Sequence, residues 1–383
     1  MRAKLWLLPA ILLLLAGGLY WFLMIPAAVT PSGPESQARF QSGHYAVLSE
    51  DFTIVDESRA TPPNRDLAGY PGRVLEGTLW RPKGLSQPGP LLVHSHGFTS
   101  GHLEATYLAK FLASHGYTVA AVDYPLTSYH TPGKPQVTDL VNQPGDVSFV
   151  LDTLLERNTT QGDPLHGTID PARIAVSGIS LGGLTTTLTT FHPRFRDPRI
   201  SAAISIAGPS EMLLPTFFAG TDTPYLAVYG DSDVVVPYPG NGKPLPGKKP
   251  GSILVTLKGG SHGGFIQLAS TAMRFMSSPD TLVCRRVIAG LESELAEDNP
   301  LYIGALGEAE QGIDTDTDVE ICATPPPDKT MQAARQHMYT MLAAYSFLDS
   351  LFNPDASRRS ASADYLLNGL SRENAAEINV EFR

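Results

Sequence analysis

The 383-residue chain carries 28 Lys plus Arg against 38 Asp plus Glu, a net charge of −10, and 42% of its residues are hydrophobic. That composition excludes a disordered chain, and the acid excess excludes a nucleic-acid partner, which needs a basic face to neutralise phosphates. Two cysteines exclude a disulfide-dense scaffold and a four-cysteine zinc site.

The chain opens on Met1-Arg2-Ala3-Lys4, and residues 5–29 then carry no charge. A spanning helix needs about 20 apolar residues, whereas a secretory core is shorter, at about 7–15. Pro26 also stands where a cleavage site wants a small residue. Residues 1–29 therefore predict an N-terminal membrane anchor, with a cleaved signal peptide as the alternative. Both leave Arg2 and Lys4 in the cytoplasm and export the rest, to the periplasm or cell surface or as a secreted protein. Residues 30–43 are polar and rich in Pro, Gly and Ser, which predicts a linker.

From residue 44 to 383 strand and helix signals alternate. Strands are predicted at 45–55, 73–80 and 90–96. A helix follows over 102–114, where Leu103, Tyr107, Leu108, Phe111 and Leu112 share one stripe and Gly116 ends it. Residues 117–122 suit a strand buried on both faces. Asp146 is placed to cap a helix whose Val147, Val150, Leu151 and Leu154 share a face. Further strands are predicted at 174–177, 200–207, 225–229 and 253–257, and helices at 181–191 and 331–352. Strands separated by helices predict an α/β domain, a mostly parallel sheet covered on both faces, with its reactive groups past the carboxyl ends of the strands.

Residues 287–328 hold eleven acids and no Lys or Arg, so the net acidity belongs to one insertion, at about 284–328, before the last long helix. It reads as a solvated surface loop. Asp314, Asp316 and Asp318 resemble the start of a calcium loop, but the required Gly and closing Glu are missing. An oxidising compartment allows Cys284 and Cys322 to pair across the insertion; two free thiols are the other reading.

Gly178-Ile179-Ser180-Leu181-Gly182 sits between a strand and a helix, the context a G-x-S-x-G elbow requires. A serine needs a base, and the base needs a carboxylate to orient it. In the order Ser, acid, His, strand 225–229 ends in Gly230-Asp231-Ser232-Asp233, and strand 253–257 is followed by Gly259-Gly260-Ser261-His262. Ser180, Asp233 and His262 are thus the candidate triad, with Asp231 as rival acid or turn cap. The His96-Gly97-Phe98 turn suits an oxyanion hole made by the Phe98 and Leu181 backbone N–H groups. His94 and His96 lack the carboxylate or cysteine neighbours of a metal site, and His337, on the long helix, reads as a surface or packing residue. Met212 to Pro215 with Phe217-Phe218 form either an acyl pocket or lid, or core packing.

"PLLVHSHGFTS", "FLASHGYTVAAVDYP", "RIAVSGISLGG", "LAVYGDSDVVVP" and "GGSHGGF" together resemble the α/β-hydrolase superfamily. More narrowly they resemble its dienelactone-hydrolase-related branch of platelet-activating-factor acetylhydrolase-like, cutinase-like and polyester-hydrolase-like serine esterases. The resemblance implies the same triad and oxyanion donors, no metal or organic cofactor, and a small-molecule or lipid ester as substrate. True dienelactone hydrolases use Cys, so Ser180 points to ordinary esters. The expected function is a carboxylic ester hydrolase acting through an acyl-enzyme. A peptidase or amidase on the same fold is the alternative, and a membrane-tethered binding module the third.

Overall fold

The computed structural model describes residues 17–18, 24–65, 67–295 and 303–383. Among them lies a nine-stranded sheet in the order β1-β2-β4-β3-β5-β6-β7-β8-β9. The strands are β1 (Val47–Asp56), β2 (Arg73–Pro82), β3 (Gly89–Ser95), β4 (Thr118–Asp123), β5 (Ile169–Ile179), β6 (Ala202–Ile206), β7 (Tyr225–Gly230), β8 (Ile253–Leu257) and β9 (Ile378–Phe382). From β4 through β8 every pairing is parallel, while β1–β2, β2–β4 and β8–β9 are antiparallel. β3, β4, β6 and β7 are buried along their whole length, as a sheet covered on both faces demands.

Six of the helices are α1 (Pro34–Arg39), α2 (Thr106–Ser114), α3 (Gln143–Thr159), α4 (Leu181–Phe191), α5 (Asp280–Leu295) and α6 (Ala333–Phe352). Side chains alternate across each strand, so Leu91 and Val93 join a core with α3 and α4, while Leu92 joins one with α2 and α6. The two cores sandwich the sheet and leave its carboxyl edge for loops.

Several expectations change. Asp146 is not a cap: α3 begins earlier, with Pro144 in its first turn. The fully buried Asp146 carboxylate instead accepts Arg73 Nε at 2.7 Å and Nη2 at 2.6 Å, and Arg59 Nη2 at 2.7 Å. Asp139 takes the other side of Arg73, because a guanidinium buried this deeply needs several acceptors. Within residues 30–43, α1 docks with the Ser36 and Glu35 N–H groups on Glu373, and Ser36 Oγ sits 2.8 Å from Tyr365 Oη. The predicted anchor or signal at residues 1–29 lies mostly outside the described residues, among which no helix is long and apolar enough to cross a membrane.

The insertion is more than a solvated loop. Ile303, Leu306 and Ile313 are buried, and its backbone bonds to the segment after β6 through Leu214 N–H to Gly312 O and Asp314 N–H to Met212 O, both 2.8 Å. Met212, Leu213, Phe217 and Phe218 are therefore core beneath the insertion, not an open acyl pocket.

Candidate active site

Ser180 occupies the step from β5 to α4 with φ 57° and ψ −123°, a conformation that non-glycine residues rarely adopt. Neighbouring backbone imposes it. A Cβ on Gly178 would collide with the Gly182 carbonyl, and one on Gly182 with the Ser95 carbonyl, so only glycines allow so tight an elbow. Ser180 N–H is pinned to Ile206 O of β6 at 2.9 Å, and its carbonyl takes the Gly183 and Leu184 N–H groups that open α4. The strained serine thus stands at the start of a fully buried helix.

The turn after β3 lies directly against it. A Cβ on Gly97 would come within 3.1 Å of Ser180 Cβ. Among the described residues, the Phe98 and Leu181 N–H groups donate to no acceptor, which leaves both available to an oxyanion. The turn is held from behind. Gly97 N–H donates to Glu104 Oε1 at 2.9 Å. The buried His96 donates Nδ1–H to the Gly97 carbonyl and accepts Tyr124 N–H at Nε2, 3.0 Å away. Burial lowers the His96 pKa, consistent with a neutral strut. His94 Nδ1 pairs with Ser177 Oγ at 2.9 Å, and no described group of three or more His, Cys, Asp or Glu is placed to hold a metal ion.

Past β7 and β8 lie Asp233 and His262. Asp233 Oδ2 sits 2.7 Å from His262 Nδ1, with both side chains nearly inaccessible. The Val235 and Val236 N–H groups donate to Asp233 Oδ1 at 2.9 and 2.8 Å, which fixes the carboxylate's orientation. Burial alone would lower the His262 pKa; the Asp233 charge and hydrogen bond overcome that and raise it above 6.5. Asp231 does not face the imidazole. It is exposed and accepts Gly259 N–H at 2.6 Å, tying the two turns together. His337 is a packing residue, stacked on Tyr107 at 3.7 Å between ring centres.

Sequence reasoning missed Asp280, the first residue of α5. Its fully buried carboxylate accepts Gly263 N–H at 2.6 Å through Oδ1, and His262 N–H at 3.1 Å and Val234 N–H at 3.5 Å through Oδ2. One side chain therefore holds the backbone of both the loop after β7 and the loop after β8. An aspartate heading a helix gives no signal in the sequence that its acceptors are spent on distant turns.

Ser180 opens onto a narrow cleft of about 50 Å³, partly open to solvent, walled by Phe98, Leu181, Val235, Val236, Val287 and Ile321. A larger cleft of about 280 Å³ lies beside the start of β2 and the end of β4, against Tyr70, Val74 and His130, and reaches none of Ser180, Asp233 or His262. Chemistry rather than size selects the first. Cys284 and Cys322, at the rim of the insertion, form a disulfide.

Curated relatives are distant. Cutinase est1 of Thermobifida alba is 26% identical over 223 residues, 58% of this chain, and the chain spans 64% of its length. Cutinase 1 of Thermobifida cellulosilytica is 24% identical over 235 residues, covering 61% of this chain and 77% of the relative. The PET hydrolase-like family matches residues 64–277, from just before β2 to three residues short of α5. That stretch is more than half the chain and holds the Ser180 elbow, the His96-Gly97-Phe98 turn and the loops that carry Asp233 and His262. Up to the edge of its insertion, then, this chain belongs to the PET hydrolase-like family, within the α/β-hydrolase superfamily.

Proposed function

We propose that the chain is a serine hydrolase of carboxylic esters, in which Ser180 is the nucleophile, His262 the general base and Asp233 the group that orients it. The observation that carries this is the buried Asp233–His262 pair on the same sheet edge as the strained Ser180, at the mouth of an apolar cleft. With Nδ1–H committed to Asp233, the neutral ring keeps Nε2 free to take the Ser180 proton. The serine oxygen attacks the acyl carbon, and the Phe98 and Leu181 N–H groups receive the oxyanion. His262 then protonates the departing alcohol, and water releases the acid from the acyl-enzyme. Asp233 stays ionised throughout and stabilises the transient imidazolium.

The test is turnover of p-nitrophenyl butyrate and labelling by a fluorophosphonate. The wild type is expected to do both and Ser180→Ala neither; a mutant still labelled would overturn the assignment. An amidase reading predicts comparable turnover of the matching anilide. A binding module predicts neither activity in well-folded protein. The charge-free residues 5–29 and the disulfide both suit an exported protein, held by an N-terminal anchor or released by signal cleavage.

A further inference from the structure

Four residues lining the cleft at Ser180 come from beyond the family match: Val287 and Leu291 on α5, and Val319 and Ile321 on the returning segment. Along that segment Asp318 and Glu320 are exposed while Val319 and Ile321 are half-buried, an alternation that turns the acids to water and the apolar side chains inward. Both arms are fastened to catalytic parts. The Asp280 carboxylate ties the head of α5 to the His262 and Val234 backbone. Cys322 N–H donates to Val234 O at 2.8 Å, and the Cys284–Cys322 disulfide joins the two arms next to the lining residues. Farther along α5, Gly290 lies so close to Phe98 that a Cβ there would come within 2.8 Å of the ring.

We propose that the insertion is a stapled cap that forms the acyl wall of this enzyme and selects short, uncharged acyl chains delivered singly from solution. The inference rests on the ester-hydrolase reading and deepens it. The chemistry follows from the lining: apart from Ser180 and Asn241, it is apolar, so it offers a charged acyl group no partner. A wall of four aliphatic side chains also limits how far an acyl chain extends. A long chain, or a segment of solid polymer, would need that wall moved.

The experiment is a chain-length profile on the full chain, using p-nitrophenyl acetate, butyrate, octanoate and dodecanoate, with kcat/KM as readout. The wild type is expected to favour the short esters. Leu291→Ala and Ile321→Ala are expected to raise the octanoate-to-butyrate ratio roughly tenfold each, the usual scale for changing a hydrophobic pocket by a few carbons. Val319→Ala, at a half-buried position, is the milder variant should the others misfold, and is expected to move the ratio the same way. Val287→Phe is expected to lower it. Wild type that neither turns over esters nor takes a fluorophosphonate would sink the hydrolase reading and this inference with it. Active enzyme whose ratio is the same in every folded variant would sink the inference alone, as would wild type that cuts a polyester film as readily as the soluble butyrate.

Discussion

Replacing Asp280 by Asn separates positioning of the base from mere support of the fold. The carboxylate accepts from Gly263 N–H on one oxygen and from His262 N–H on the other, with Val234 N–H at longer range. Asn keeps one acceptor and turns an NH₂ donor toward an N–H that needs an acceptor. Hydrogen bonds to charged groups are worth roughly 1.5–3 kcal/mol, so the loss is about 2–4 kcal/mol, read as a lower urea midpoint. Displacing the histidine turn should cost about tenfold or more in kcat, since small misplacements of a reacting group are expensive. The decisive readout is the pH profile. Asp280's charge helps to hold the His262 pKa up against desolvation, behind the charge and hydrogen bond of Asp233. Removing it lowers that pKa, and because the neutral ring is the active form, the acidic limb of kcat/KM moves to lower pH. A structural role alone would leave the limb in place. An Asp280→Asn enzyme with an unmoved limb and wild-type kcat would refute the reasoning.

In the wild type, kcat/KM for a soluble ester should rise with pH through a midpoint above 6.5, because His262 is held above its ordinary value. By linkage, the stability this group contributes is fully present below pH 6.5 and fades as pH climbs through the raised pKa, which paired denaturant melts would detect. Arg73→Met leaves Asp139 buried without its cation and Asp146 with Arg59 alone, and should cost on the order of 3–5 kcal/mol, seen as a large fall in Tm; Arg73→Lys should recover little, lacking the fork that grips two carboxylates. Cys284→Ser with Cys322→Ser opens a loop of separation 38 and should cost about 4 kcal/mol on a chain-entropy estimate, measured by thermal melts with and without reductant.

Local pattern revealed much of this molecule. Ser180 is legible because the elbow's glycines serve a turn only a few residues long, and β8 and α4 fall on the predicted spans since their apolar runs are bounded by clear breaks. What stayed hidden depends on partners distant in sequence. Asp146 looks like a helix cap until Arg73 arrives from β2 to claim it. β9 is an edge strand whose identity comes from its pairing with β8, not from its own composition. The insertion misleads for the same reason: its acids dominate the reading, yet the sparse Val287, Leu291, Val319 and Ile321 find their use only beside a cleft assembled from β3, β5 and β7.

A helix whose first carboxylate grips the backbone of the base cannot swing aside without spoiling the aim of that base. Enzymes that wake at an oil–water boundary do so by lifting a flap that is free of the reacting groups. In the proposed mechanism flap and trigger share a bolt at Asp280, so substrate must thread a standing gap. The rate should then follow dissolved ester smoothly, with no jump where droplets first form.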